Sequence, residues 1–111
     1  MSKGIMFISG PYRGDNEWEV TKNIRNAELV ALKYWKKGYV VICPHKNSSY
    51  FGGELPDERW LKGDLEILSR CDGIVMMRNW KDSEGAMEEW QYAKSHGMNI
   101  IYDVYTPERQ E

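Results

Sequence analysis

Two adjacent glutamates, Glu88 and Glu89, stand in the segment SEGAMEEW (83–90), where the sequence predicts the start of a helix. The inward line of that helix is marked by Ala86, Trp90, Ala93 and Gly97. At about 100° per residue, Glu88 lies about 170° from this line and Glu89 about 70° from it. Glu88 therefore faces solvent. Glu89 lies beside the buried stripe, where a carboxylate either has a functional role in a pocket or is simply solvated by water.

A third acidic residue, Asp64, has a similar position in DERWLKGDLEILSRCD (57–72), a second predicted helix. Leu61, Leu65 and Leu68 cluster on one side of a helical wheel, and Asp64 lies about 65–70° from their mean direction. Such a carboxylate needs a partner or a task, unless it simply reaches water. The pattern leaves both interpretations open.

The segment SGPYRGD (9–15) follows the first apolar run and combines two glycines with a basic residue. Gly10 and Gly14 let the backbone approach a ligand, Pro11 stiffens the turn, and Arg13 offers a planar fork for a phosphate or carboxylate. The pattern is typical of an anion cradle, and equally of an ordinary strand-to-helix turn with a solvated arginine. It matches neither the Walker loop nor the dinucleotide-binding GxGxxG motif.

The elements that position these residues are strands and helices in alternation. Four short β-type runs occupy residues 4–9, 39–43, 73–77 and 99–104. The first three are near-continuous apolar stretches, which favour parallel strands covered on both faces. We predict a single α/β domain over residues 1–111, a small flavodoxin-like or Rossmann-like open sheet of about four to five mostly parallel strands flanked by helices.

Three helices are predicted between these strands. The first carries the apolar stripe of Val20, Ile24, Ala27, Ala31 and Tyr34 and ends at KKG, with Gly38 as its left-handed cap. The second spans about 56–70, and the third runs from about Ser83, its expected cap, to SHG.

Ligands of open α/β sheets bind at the carboxyl ends of the strands, which are here 9–15, 44–50 and 78–85. His45 follows the second strand in CPHKNSSYFGG (43–53) and either faces a ligand or is an ordinary loop histidine.

Composition limits the partners. The 111 residues carry a formal net charge of −2, with a pI of about 5.7, so no general positive field attracts a nucleic acid polymer or an anionic membrane. The apolar start of the chain is too short for a signal peptide or a membrane span, and Cys43 and Cys71 lack metal-binding spacing. We therefore expect a cytoplasmic protein with reduced thiols.

The motifs FISGPYRG, CPH, DLEILSRCDGIVM and SEGAMEEWQYA, in this order and spacing, resemble the nucleoside 2-deoxyribosyltransferase superfamily over about residues 4–103. The nearest branches are the 2′-deoxynucleoside 5′-monophosphate N-glycosidases and a set of short bacterial and phage proteins. The resemblance implies that Glu89, spaced from Ser83 and Gly85 as S-x-G-x-x-x-E, is the nucleophile. It assigns Asp64 as the second acid or as a group that orients the sugar.

The same resemblance implies the substrate site. Gly10, Tyr12, Arg13 and Gly14 match the loop that holds the sugar and, in the monophosphate branch, the 5′-phosphate. His45 matches a histidine close to the ligand. The expected ligand is a nucleoside or nucleotide. No metal or organic cofactor is expected, and the expected assembly is a homodimer or larger homo-oligomer.

Two substrate-binding positions depart from the monophosphate branch: Phe7 replaces a tyrosine, and Pro11 replaces a serine that helps to hold phosphate. Members of the family commonly complete the site with a C-terminal extension from a neighbouring subunit. This chain has TPERQE (106–111) soon after its fourth strand, so we expect a pocket that is more open or that is completed by other residues.

Three functions fit these observations. The first is an N-glycosidase or deoxyribosyltransferase acting on a nucleoside or nucleotide. The second is a non-catalytic nucleotide-binding or sensing module on the same fold. The third is a flavodoxin-like domain that acts through protein contacts, with some of its five tryptophans at an interface.

Overall fold

The structure, a computed structural model, describes residues 2–104 and residue 106. Its centre is a four-stranded sheet in the order β2-β1-β3-β4, with every neighbouring pair parallel. The strands are β1 (Ile5–Ser9), β2 (Val40–Ile42), β3 (Gly73–Met77) and β4 (Asn99–Asp103). The predicted open, parallel α/β sheet is confirmed.

Four helices flank the sheet: α1 (Glu17–Lys36), α2 (Pro44–Asn47), α3 (Asp57–Ser69) and α4 (Glu84–Ser95). The three predicted helices correspond to α1, α3 and α4. Gly38 has a φ of +101°, which confirms the left-handed residue expected after α1. The short helix α2 was not predicted; proline is suited to the first turn in which it stands.

The helices bury two separate layers of apolar side chains, one on each face of the sheet. Alternation along β1 turns Met6 and Ile8 toward α1, where they pack with Ala27 and Val30. Phe7 points to the opposite face and packs against α3 and α4. Ser9, two residues further along, shares that face and ends the strand.

The order of the strands determines where a ligand fits. The chain places β2 on one side of β1 and β3 on the other, so the connections from β1 and β3 diverge at the carboxyl edge. Such a topological switch point opens a crevice in which doubly wound folds bind ligands. The segments after β1 and β3 border this crevice.

Among residues 2–104 and 106, no helix is both long and apolar enough to span a membrane. The expectation of a more open pocket concerned the segment TPERQE. Residues 107–111 of this segment lie outside the described residues.

Candidate active site

A cleft of about 1040 Å³ opens at the carboxyl edge of the sheet, a volume sufficient for a nucleoside-sized ligand. Its lining includes three chain segments at strand ends: residues 10–14 after β1, the start of α2, and residues 82–86 at the start of α4. Except for residue 86, they fall within the three strand-end segments that the sequence predicted. The cleft also receives Asp64 from α3 and Glu89 from α4.

Glu89 is the most enclosed acidic group of the cleft, with 7% of its surface exposed. The Oγ of Ser9 donates a 2.6 Å hydrogen bond to its Oε1. Burial raises the pKa of Glu89 from 4.5 to about 8; the hydrogen bond from Ser9 lowers it, and the negative charges of Asp64 and Glu88 raise it. Glu88 itself is exposed, so the predicted difference between the two glutamates is confirmed.

Asp64 is half-buried on α3 and faces the same cleft. Burial raises the pKa of its carboxyl from 3.8 to about 6. Since the pKa of Glu89 is about 8, Asp64 ionises first as the pH rises, and Glu89 keeps its proton at neutral pH. The cleft thus holds two carboxyls whose different surroundings separate their pKa values, as acid–base sites require.

Ser83 and Gly85 begin α4 at the wall of the cleft. The Oγ of Ser83 accepts a 3.1 Å hydrogen bond from the N–H of Ala86, which confirms the predicted helix cap. A Cβ added to Gly85 would meet only the Ser83 Oγ, at an ordinary 3.9 Å. Gly85 is therefore not required by packing, and its lack of a side chain leaves space in the cleft.

Packing dictates both glycines of the 10–14 loop. A Cβ on Gly10 would lie 2.4 Å from the Sδ of Met77, and one on Gly14 would lie 2.3 Å from the Cβ of Glu19. The Nδ2 of Asn23 donates 3.0 Å hydrogen bonds to the carbonyl oxygens at positions 12 and 13. The loop is held against β3 and α1, with Tyr12 and Pro11 at the cleft.

His45 braces the same loop. Its ring lies 2.9 Å, through Nε2, from the carbonyl oxygen of Pro11; because a carbonyl only accepts, Nε2 carries the proton. The side chain is 5% exposed, and within the described part of the chain its Nδ1 has no hydrogen-bond partner. Burial lowers the pKa of His45, so the imidazole is neutral at pH 7.

Arg13 lies at the mouth of the cleft. Its Nη2 forms a 2.6 Å ion pair with Oδ1 of Asp57, at the start of α3, and each side chain is 68% exposed. Of the cleft-lining residues that the structure describes, Arg13 is the one permanent cation.

Acidic residues, in contrast, surround the cleft. Eight of the described lining residues are acidic: Glu17, Asp57, Glu58, Asp64, Asp82, Glu84, Glu88 and Glu89. The lining is therefore electronegative even with Glu89 protonated at neutral pH, although the chain as a whole has a formal charge of only −2.

Phe7 does not line the cleft, so its predicted substrate contact is wrong. The side chain is fully buried with Leu68, Ile74 and Ala86 in the layer between the sheet and the helices α3 and α4. Because Phe7 precedes Ser9 by two residues on the same face of β1, it lies one pleat below the carboxyl edge. All other predicted site residues meet at the cleft.

Several contributors were not predicted as site residues, among them Ser9, Tyr50 and Trp60. Alternation along β1 contains a signal for Ser9, the last inward residue of the strand. Tyr50 follows α2 with a φ of +66°, which costs free energy in a non-glycine residue, and its N–H donates to the Tyr12 hydroxyl at 2.9 Å. Trp60 lines the cleft from α3. The positions of Tyr50 and Trp60 depend on tertiary packing.

A ligand of the cleft would contact hydrogen-bonding and aromatic groups, since the lining includes Tyr12, Tyr50 and Trp60 beside the carboxyls. Within residues 2–104 and 106, no group of three or more histidine, cysteine, aspartate or glutamate side chains is arranged to hold a metal ion.

Fold and cleft together define a class: an open, all-parallel α/β domain with two carboxyls of raised pKa at its topological switch point. The chain belongs to the DUF4406 family, a domain of unknown function, whose family model matches residues 5–102. No curated protein matches the chain.

Proposed function

We propose that this protein cleaves, or transfers a sugar at, the N-glycosidic bond of a (deoxy)nucleoside or nucleoside 5′-monophosphate, with Glu89 as nucleophile. The observation that carries the proposal is the meeting of Glu89 and Asp64 in one cleft with the 10–14 loop. The motif resemblance to the nucleoside 2-deoxyribosyltransferase superfamily supports the same assignment, because it selects Glu89 and Asp64 by spacing.

The chemistry begins with the departure of the base, which builds positive charge at C1′ of the sugar. Ser9 occupies Oε1 of Glu89, so Oε2 is the oxygen that attacks C1′. The bond from C1′ to the base nitrogen breaks, and its electron pair remains on the nitrogen, which takes a proton from Asp64. The product of this step is a glycosyl ester of Glu89.

The second step restores the protein. A water molecule, or the nitrogen of a second base, attacks C1′, the bond to Glu89 breaks, and the attacking group loses its proton to Asp64. With water the protein is a hydrolase, and with a second base it is a transferase.

The two pKa values define which form reacts. Between about pH 6 and about pH 8 the pair Asp64 and Glu89 holds one proton, which in the free protein lies on Glu89. The reactive form has this proton on Asp64 and the negative charge on Glu89. Positive charge growing at C1′ favours that arrangement, because it stabilises an adjacent carboxylate.

The proposal is tested by incubating the protein with each 2′-deoxynucleoside and each 5′-monophosphate and separating free base by chromatography. We expect base release from the wild type and from Glu88→Ala, and a loss of at least about 10³-fold in Glu89→Ala. Equal release by the two variants would overturn the assignment of Glu89. No release from any substrate by the wild type would overturn the proposed reaction.

A second candidate is a nucleotide-binding module without catalysis. The observation that favours it is that the buried Glu89 is protonated at neutral pH and already hydrogen-bonded to Ser9, as suits a fixed recognition group. A ligand-induced rise in melting temperature without release of base distinguishes this candidate from the enzyme.

A further inference from the structure

The charges of the cleft are arranged against a phosphorylated ligand. Eight acidic residues line the cleft among those described, and Arg13 is the one permanent cation beside them. Arg13 is occupied by Asp57 at 2.6 Å. A phosphate dianion entering the cleft would meet an electronegative lining and would compete with Asp57 for its one counter-charge.

The histidine of the site does not supply a second cation. The Nε2–H of His45 is directed to the carbonyl of Pro11 at 2.9 Å. Protonation would place a hydrogen on Nδ1, which is buried and has no hydrogen-bond partner in the described part of the chain. His45 therefore acts as a neutral brace for the loop and adds no charge for an anion.

Three of the longer helices, α1, α3 and α4, begin at the cleft, and side chains cap the N-termini of α1 and α4. Such termini bind phosphate through free N–H groups and the helix dipole. In α1 the side chain of Asn16 accepts from the N–H of Glu19, and in α4 the side chain of Ser83 accepts from the N–H of Ala86. The N-terminus of α3 has no side-chain cap. Acidic residues in the first turns of all three helices, Asp57 of α3 among them, already complement the dipoles and repel a further anion.

We propose that Asp57 is a specificity-determining residue: by pairing with Arg13 within an acidic lining, it makes the cleft reject a 5′-phosphate. The substrate class is then an uncharged nucleoside, with no phosphate on its 5′ oxygen. The inference rests on the proposed N-glycosidic function and narrows its substrate.

The selectivity is a collective effect of the lining. The pair between Arg13 and Asp57 is 68% exposed on both sides, so by itself it is weak. Its role is to cancel the one positive charge and leave the field of the other carboxylates unopposed. Because salt screens such a field, the discrimination against phosphate decreases as ionic strength rises.

The first test compares binding of a 2′-deoxynucleoside and its 5′-monophosphate to the intact protein by calorimetry, beside base release from both. We expect the nucleoside to bind at least about tenfold more tightly at low salt. The ratio falls toward unity between about 0.05 M and about 0.5 M salt. Calorimetry detects binding whether or not the bond is cleaved.

The second test changes the proposed residue. Asp57→Asn removes one negative charge and frees Arg13, so we expect monophosphate affinity to rise by roughly fivefold or more, with nucleoside affinity changed less than twofold. Glu66→Gln is the matched control: it removes the same charge from the same helix, but Glu66 is exposed, pairs with Arg70 and is not among the cleft-lining residues. It leaves the ratio of affinities unchanged.

Distinct results separate the two proposals. Base release from both substrates, with the monophosphate bound as tightly as the nucleoside or more tightly, would overturn the selectivity and leave the reaction intact. An equal response of Asp57→Asn and Glu66→Gln would overturn the role of Asp57. Binding of neither compound, together with no base release, would overturn both the selectivity and the reaction.

Discussion

The hydroxyl of Ser9 donates a 2.6 Å hydrogen bond to Oε1 of Glu89, joining the end of β1 to α4 across 80 positions of sequence. Both side chains are buried, with 1% and 7% of their surfaces exposed. This hydrogen bond lowers the pKa of Glu89, whereas burial raises it. The bond is made to Oε1 and does not involve Oε2. The orientation of Glu89 is therefore set by the sheet as well as by its own helix.

Replacing Ser9 by alanine tests this bond. In Ser9→Ala a buried carboxyl oxygen loses its donor, so we expect the free energy of unfolding to fall by about 1–3 kcal/mol in urea denaturation. The pKa of Glu89 rises further, because the hydrogen bond from Ser9 lowers it. Base release at pH 7 falls by about tenfold or more, since a smaller fraction of Glu89 is ionised. The control is Ser95→Ala, which removes an exposed hydroxyl on α4; equal stability losses in the two variants would contradict the prediction.

The raised pKa of Glu89 has a consequence for stability. Burial raises this pKa from 4.5 to about 8, so over that range the folded protein keeps a proton that the unfolded chain releases. The resulting stabilisation is complete below about pH 4.5 and is lost as the pH rises through about 8. We expect Glu89→Gln, which is neutral at every pH, to exceed the wild type in stability at pH 9 by on the order of 3–5 kcal/mol.

Denaturation at about pH 5 and about pH 9 measures this difference. Near pH 5 the folded wild type is already neutral at Glu89, so the advantage of Glu89→Gln falls below about 1 kcal/mol. Glu88→Gln is the control: Glu88 is exposed, and its stability stays within about 0.5 kcal/mol of the wild type at both pH values. A Glu89→Gln advantage that does not grow with pH would show that Glu89 is not a buried neutral acid.

Local patterns predicted most of the fold. Apolar runs located all four strands to within two residues at either end, and helical periodicity located α1, α3 and α4. The sequence could not predict α2, because PHKN has no apolar period and its turn is stabilised by neighbours. The order β2-β1-β3-β4 also depends on packing between distant segments, since local apolar patterns do not specify strand neighbours.

For the site, the helical wheel distinguished Glu88 from Glu89 but placed Glu89 only beside the core. Its actual depth depends on how α4 packs against the sheet, where it meets Ser9, a partner 80 residues away that no local pattern reveals. Phe7 shows the opposite error: a position matched to a family motif was assigned to the ligand, although alternation along β1 buries it below the site.

The close packing of Gly10 leads to a stability prediction. In Gly10→Ala the new Cβ would lie within 3 Å of the Sδ, Cβ and Cγ of Met77, so the end of β1 or the Met77 side chain must move. We expect the free energy of unfolding to fall by about 1–3 kcal/mol, with weaker ligand binding, because the displaced loop includes Tyr12 and Arg13. Gly52→Ala, where a Cβ would have no atom of the described residues within 4 Å, is the control with little effect. Equal stability of the two variants would show that Gly10 is not confined.

The pH dependence of kcat/KM tests the shared proton of Asp64 and Glu89. If the reaction requires one proton on the pair, kcat/KM is bell-shaped with inflections near 6 and 8, the pKa values of the two carboxyls in the free protein. Asp64→Asn removes the acid, which lowers the maximum by about 10²-fold or more and leaves one rising limb. The inflection of that limb lies below pH 8, because the charge of Asp64 contributes to the raised pKa of Glu89 and is absent from this variant. The control is Glu66→Gln, outside the cleft, which retains both inflections. A wild-type profile that is flat between about pH 5 and about pH 9 would contradict a reaction carried out by these two carboxyls.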